Sequence, residues 1–344
     1  MTPAQYNRLR LAYHAWRLPF RGRGGVLLYH RIAELEHDPW SLAIGPADFA
    51  DHLAILERQC VCLSLPELLS RRAAGTLPAN AVAVTFDDGY ADNLEAALPL
   101  LERHGIPATI FVLSGFVGGS AETWWDRLEQ TVFGAPALPG EIDLPVGQAR
   151  LLWSRPRMGP GYGMRVMLHR KVYAAVALVD TAERETALAE LARQMGYVPA
   201  HRATHRALTV AELQKLAASP LITVGGHTRT HPFLRNIAPE RQRAEIAGGK
   251  ADLEAWLERP IEHFAYPHGS YGTETPAIVA EVGFTWAFTT KPTVVRADSD
   301  PMRISRLNIL DLDGQAFAET LWWHGLSRKG SRSASRAAPA RSGS

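Results

Sequence analysis

Cysteine is nearly absent from this chain: Cys60 and Cys62 are the only two among 344 residues. At i,i+2 they point to opposite faces of an extended segment, so no disulfide framework exists and a reduced, partly buried pair is expected. That suits a reducing compartment. An excess of one charge is also missing, since 37 Lys and Arg stand against 35 Asp and Glu. Such a balance, with no basic motif interleaved with aromatics in the body of the chain, gives no sign of a nucleic-acid partner. No apolar run approaches the roughly 20 residues of a membrane span, and the start lacks the uninterrupted apolar core of a secretion signal. These absences set aside a disulfide-stapled secreted domain and an integral membrane protein, and they point to the cytoplasm.

The two ends carry something else. Within residues 1–23, Tyr6, Leu9, Tyr13 and Trp16 recur at helical spacing among arginines. Such an amphipathic segment suits peripheral contact with an anionic inner-membrane surface, or equally a helix packed on the main domain. Residues 327–344 are rich in Ser, Arg, Ala and Gly and are expected to be a disordered basic tail.

Between the ends the apolar share, 46% overall, supports a substantial core. Short apolar runs at 26–30, 81–86, 106–112, 221–226, 261–267, 284–289 and 303–307 read as strands. Helical patterns at 47–58, 92–103, 239–257, 275–282 and 313–326 fall between or after them. This rhythm predicts an α/β fold with mostly parallel strands and a site at their carboxyl ends. From 118 to 208 the rhythm stops: Gly/Pro-rich turns near 134–163 lead to a helical stretch over 164–195. That region is expected to be an insertion or cap on a single domain at 24–326.

The chemistry is concentrated in two places. Asp87-Asp88-Gly89 follows an apolar strand, and adjacent carboxylates there call for a cation to offset burial and mutual repulsion. The plainer alternative is a solvated Asp-Asp-Gly turn. His227 and His231 are four residues apart, so on a helix or wound turn both reach one cation. With Asp88 they make a two-histidine, one-carboxylate set suited to Zn²⁺ or another divalent first-row metal. His201 and His205 share the spacing but lack carboxylate neighbours, and are expected at the surface. His263 reads as a strand residue.

Thr85-Phe86-Asp87-Asp88-Gly89 and His227-Thr228-Arg229-Thr230-His231 resemble the first two motifs of the polysaccharide deacetylases of the NodB-homology, or carbohydrate esterase 4, type. Phe264-Ala265-Tyr266-Pro267-His268-Gly269 resembles the third, and the likeness extends over roughly residues 24–310. It implies a distorted (β/α) barrel of fewer than eight strands, here with a largely helical insertion. It also implies that Asp87 acts as base while Asp88, His227 and His231 bind the metal. The sequence departs from the commonest pattern twice. Ala265 stands where an arginine is usual, and Ile304-Ser305-Arg306-Leu307 offers no histidine. A subgroup resembling the poly-N-acetylglucosamine deacetylases takes its acid histidine from an early strand, and Leu28-Tyr29-His30-Arg31 is similar to that segment. The resemblance therefore places the acid on His30, and Arg306 is expected to replace the missing arginine beside Asp87.

The expected reaction is removal of an N-acetyl group from an amino sugar, whether free, in an oligosaccharide or lipid-linked. Tyr266, Pro267, Tyr271, Trp286, Trp124 and Trp125 are candidates for lining the sugar or acetyl pocket, with simple packing as the alternative for the aromatics. The backbone N–H of Tyr266, or of a neighbour of Pro267, is a candidate oxyanion donor. Two rival readings stand beside this one: an O-acetyl esterase or other amide hydrolase on a glycan, and a carbohydrate-binding protein that has lost turnover.

Overall fold

The computed structural model describes residues 22–118, 122–155 and 161–327. The amphipathic segment expected at 1–23 falls almost entirely outside the described residues, as does the tail expected from 327.

Eleven strands concern us: β1 (Arg23–Tyr29), β2 (Val61–Cys62), β3 (Ala81–Phe86), β4 (Ala108–Val112), β5 (Glu141–Val146), β6 (Ala149–Ser154), β7 (Ile222–Gly226), β8 (His263–Ala265), β9 (Trp286–Phe288), β10 (Val295–Arg296) and β11 (Leu307–Asn308). The main sheet runs β9-β8-β7-β4-β3-β1-β10, with β11 also on β1 and β2 also on β3. Every pairing in it is parallel except β1 with β10. The result is an open, distorted half-barrel of seven strands along its main path, as the resemblance implies. Helices α1 (Pro46–Gln59), α2 (Leu65–Ala73), α3 (Leu98–His104), α7 (Val210–Ala218), α8 (Pro239–Leu257), α9 (Thr275–Glu281) and α10 (Gly314–Trp323) flank it.

Alternation along β3 sorts the side chains. Val82, Val84 and Phe86 face outward into the core shared with the helices, while Ala81 and Ala83 face the barrel interior with Val26, Phe111, Ala265, Phe288 and Ile304. Burying each large apolar side chain contributes roughly 1.5–3 kcal/mol, so a one-residue slip of β3 is strongly opposed. Small residues at 81, 83 and 265 leave room inside. The segment 304–308 nearly closes the barrel, because Ile304 bridges Phe288 of β9 and Leu307 pairs with Leu27 of β1. Arg306 shares Ile304's inward parity and is completely buried.

The insertion has a core of its own, built from α4 (Trp124–Gly134), α5 (Tyr162–Val176), α6 (Thr181–Gln194) and the antiparallel hairpin β5–β6. Two expectations need correction here. The turn-rich region near 134–163 contains that hairpin, whose buried Ile142, Leu144 and Val146 alternate with less buried residues. Pro145 within β5 disguises it, since proline argues against a strand except where a missing ladder bond is tolerated, as in this two-stranded ribbon. The single helical stretch is two helices, the second capped by Asp180, whose carboxylate accepts the Glu183 N–H at 2.9 Å. By contrast, the Thr209–Glu212 capping box opens α7 as its sequence suggests.

Candidate metal centre

The end of β3 sends its two carboxylates in different directions. Asp87 keeps the inward alternation and enters the barrel. Asp88 and Gly89 then adopt φ of 75° and 78°, and two successive left-handed residues turn the Asp88 side chain toward the loop after β7. That loop carries the histidines, and it is a wound turn rather than a helix, with Thr228 at φ 69° and His231 at φ 60°. Of the seven non-glycine residues with positive φ among those described, Asp88, Thr228, His231 and His268 gather at this one place. Such backbone strain persists only where its surroundings enforce it.

Helix α8 does the enforcing. A Cβ at Gly249 would lie 2.9 Å from the carbonyl carbon of Thr228, so only glycine admits the loop this closely. Asp252 on the same helix accepts two bonds from Arg229, at 2.7 and 2.8 Å, and Glu245 accepts the N–H groups of Arg229 and Thr230.

The outcome is a buried cluster in which ligand atoms of Asp88, His227 and His231 all lie within 4.8 Å of one another. Nε2 of each histidine is 3.5 Å from Asp88 Oδ1. His227 Nδ1 donates to the Ala265 carbonyl at 2.8 Å, which fixes the tautomer and leaves the Nε2 lone pair facing the cluster. Asp88 Oδ1 is buried with no hydrogen-bond partner. Burial and the neighbouring Asp87 raise the Asp88 pKa well above the usual range, while burial holds both histidines neutral. Neutral imidazoles around an unsatisfied carboxylate oxygen fit a divalent cation, whose charge would offset the cost of ionising Asp88.

Asp87 is treated differently. Burial opposes its ionisation, yet Arg306 holds its pKa below the usual value, donating from Nη1 to Oδ1 at 2.7 Å and from Nη2 to Oδ2 at 2.8 Å. Arg306 also donates to the Thr289 carbonyl at 3.1 Å, so its guanidinium is pinned along one edge. Asp87 Oδ2 is 3.9 Å from His227 Nε2, which puts an ionised carboxylate at the rim of the cluster.

His30 is half-buried at the end of β1. Its carbonyl accepts from Asn93 Nδ2 at 3.0 Å, so the π-turn Asn93–Ala97 after the carboxylates anchors it. Burial moves its pKa down to about 4, outweighing the pull of Asp87, with Arg306 and His227 adding to the fall. It is therefore neutral at pH 7 and would have to gain a proton before acting as the acid that the resemblance implies.

The aromatic candidates divide. Trp125 packs on the His231 ring at 4.8 Å and donates its indole N–H to Tyr90 Oη at 2.8 Å; Trp124 packs on Trp125. Trp286 lies at the opposite end of its strand from the site and packs against the Arg72 guanidinium at 5.4 Å, so it is a packing residue. Tyr266 faces the outer core and donates to the Met302 carbonyl, with Tyr271 against its ring at 5.0 Å. The Tyr266 N–H is spent on the Phe288 carbonyl at 3.0 Å and is not free to act as an oxyanion donor. Pro267 is buried and opens the turn Pro267–Gly269, which aims His268 at the site. His205 is buried as well, not at the surface, because the loop after α6 folds back over Arg31.

Sequence reasoning missed two contributors. His268 contacts His231 with ring centroids 4.2 Å apart and stacks on Phe233 at 3.8 Å. Its place in the third motif was a signal. Tyr173, from α5, brings its hydroxyl to 3.4 Å from His268 Nδ1, and nothing local in the sequence marks it.

A parallel half-barrel with a buried Asp-His-His cluster at the carboxyl ends of its strands has the layout of a metal-dependent hydrolase of the NodB-like class. The chain belongs to the polysaccharide deacetylase family, whose sequence pattern matches residues 74–133 and 176–287. The unmatched stretch between them carries the β5–β6 hairpin and nearly all of α5. Among individual proteins, the chain is 20% identical over 295 residues to YxkH of Bacillus subtilis (strain 168), provisionally named a polysaccharide deacetylase, spanning 85% of this chain and 74% of that one. In three dimensions it resembles the deacetylase PplD of Streptococcus pyogenes, solved with acetate, at a TM-score of 0.56 and 19% identity over 87% of this chain and 97% of that one. It also resembles IcaB of Ammonifex degensii, at 0.55 and 21% over 88% and 97%. At these identities the structural likenesses speak for the fold.

Proposed function

We propose that the protein is a metal-dependent carbohydrate N-deacetylase, removing the N-acetyl group from an amino sugar in a glycan or glycan precursor, in the cytoplasm or at the inner-membrane surface. The observation that carries this reading is the division of labour between adjacent carboxylates: Asp87 held ionised by Arg306, Asp88 left unsatisfied between two neutral histidines. Asp88, His227 and His231 would hold Zn²⁺ or a similar ion, which when bound supplies Lewis-acid polarisation of the acetyl carbonyl and a water of lowered pKa.

The rest of the chemistry belongs to the chain. Asp87 accepts the proton of the attacking water, for which its free lone pairs and fixed position suit it. Arg306 keeps that carboxylate ionised and correctly turned. His30 delivers a proton to the departing nitrogen, which an amide requires because an amine anion leaves very poorly. Since His30 starts neutral, that proton reaches it within the cycle, from water by way of Asp87.

Acetate release from UDP-linked, lipid-linked and oligomeric N-acetyl sugars, after chelation and metal add-back, is the direct test. Release from at least one, lost on chelation and restored by metal, is expected; no release from any, despite bound metal, ends the reading. His30→Ala distinguishes the esterase alternative. It should abolish amide turnover while sparing an O-acetyl substrate, whose alcohol leaves without a strong acid. Against the inactive, carbohydrate-binding alternative, which the missing motif arginine at Ala265 would favour, Arg306 beside Asp87 supports the active reading.

A further inference from the structure

The two histidines of the cluster are held in unlike ways. His227 has its Nδ1 hydrogen on the Ala265 carbonyl, whereas His231 Nδ1 is buried and has no hydrogen-bond partner among the described residues. A metal-ligating imidazole is ordinarily oriented through that second nitrogen, by a carboxylate, a carbonyl or a water. The His231 backbone is anchored, since its N–H donates to Thr228 Oγ1 at 3.2 Å. That bond fixes the Cα but leaves the ring free to turn. Its Nε2 nevertheless lies 3.5 Å from Asp88 Oδ1, so the ring takes its direction from packing.

The packing is a wall of other rings. Trp125 lies 4.8 Å from the His231 ring, His268 at 4.2 Å and His227 at 5.0 Å, centroid to centroid. A ring held this way is only as fixed as its neighbours. Of these, Trp125 is the one that the insertion supplies, from the first turn of α4, and directed bonds station it. Its indole N–H donates to Tyr90 Oη at 2.8 Å, and Tyr90 Oη donates to Asp126 Oδ2 at 2.7 Å. Thr123 Oγ1 donates to the same Asp126 oxygen, also at 2.7 Å. The Tyr90 ring is itself fixed by the Arg31 guanidinium at 4.3 Å and by Phe116 at 5.5 Å. Tyr90, Trp125 and Asp126 are all buried, so water does not compete for these bonds. Tyr90 directly follows Asp87-Asp88-Gly89. The turn that delivers the carboxylates therefore also supplies the hydroxyl that stations the insertion's tryptophan.

We propose that Tyr90 is a positioning residue of the metal centre: its hydroxyl fixes Trp125, and Trp125 fixes the His231 ring. The insertion is then part of the scaffold that shapes the ligand set. The inference rests on the metal-hydrolase reading for what His231 grips, although the orientation of the ring can be judged without it.

The test measures the Zn²⁺ Kd by competition with a chromophoric chelator, and the visible spectrum of the Co²⁺-loaded protein. Trp125→Leu should weaken binding about tenfold or more. Tyr90→Phe, which touches neither metal nor His231, should weaken it roughly fivefold, the worth of one net hydrogen bond. Both should alter the Co²⁺ bands. In the double variant the Tyr90→Phe step should add nothing to Trp125→Leu, because the hydroxyl acts only through the indole. Leu191→Ala, in the insertion's own core, should lower urea stability and leave Kd and spectrum alone. A parental Kd and spectrum in Tyr90→Phe, or an undiminished Tyr90 effect once Trp125 is gone, overturns the proposal. So does a shift of equal size in Leu191→Ala. Should Tyr90→Phe not fold, Trp125→Phe carries the comparison: it keeps a ring but not the N–H, and an unchanged Kd again overturns. If the protein takes up no metal, the hydrolase reading fails by itself, and ¹⁵N spectra of histidine-labelled protein decide. Tyr90→Phe should then move the His231 ring nitrogens and not those of His227, and unmoved His231 signals overturn the proposal.

Discussion

Asp87 and Arg306 are 219 residues apart and both buried, and their energetics are those of a pair in which neither partner survives alone. Removing one side of such a pair typically costs about 3–5 kcal/mol, because the other charge is left without compensation. Arg306→Gln should therefore lower stability by roughly that amount in urea unfolding. It should also cut acetate release at least about a hundredfold, the lower range for loss of a positioned base. Arg306→Lys keeps the charge but not the paired geometry, and should fall between the two. A variant that loses stability yet turns over at full rate would show Arg306 to be structural only. The neighbouring residue obeys a different logic: among the described residues no Lys or Arg bonds Asp88, so a cation to offset its charge would have to come from solution.

At the scale of elements, the insertion is where cost has been accepted without an internal reason. His169 on α5 is completely buried among Trp40, Phe133 and Tyr173, and neither ring nitrogen has a partner. Burial pushes its pKa down to about 4. The unfolded chain binds a proton at about pH 6.5, so it gains the proton first as pH falls. The stability this residue lends is thus present above about pH 6.5 and is lost as pH falls toward 4, at up to about 1.4 kcal/mol per pH unit. His169→Phe removes both the unsatisfied nitrogens and the proton uptake. Its unfolding midpoint should match or exceed the parent's at pH 7.5 and exceed it by more at pH 5.5, when urea curves are compared at the two values. An unchanged difference between them would mean that His169 finds a partner in solution. The same insertion shows where pattern reading ends: Pro145 hides a strand, and Tyr173 meets His268 only through the packing of α5.

For the molecule as a whole, legibility follows sequence distance. The parallel strands and flanking helices could be read from short apolar runs, and Asp87, Asp88, His227 and His231 from spacing at strand ends, because each signal is local. The wall of aromatic rings, the burial that neutralises His30, and the outward facing of Tyr266 depend on the barrel's closure and on the cap. No window of sequence contains these. That separation also governs how metal should couple to folding. The candidate ligands come from the ends of β3 and β7, which the unfolded chain does not bring together, so an ion held by them would bind the folded state. At a free concentration a hundredfold above its Kd, such a ligand stabilises by about 2.7 kcal/mol. Thermal melts of chelated protein with and without added Zn²⁺ should differ accordingly, the difference growing with metal concentration. Asp88→Asn, which leaves the two histidines without their carboxylate, should shrink the shift, while Trp286→Phe, at the far end of the barrel, should keep it. A wild-type melt indifferent to metal, at concentrations that restore no acetate release either, would mean that the three side chains gather for some purpose other than gripping an ion.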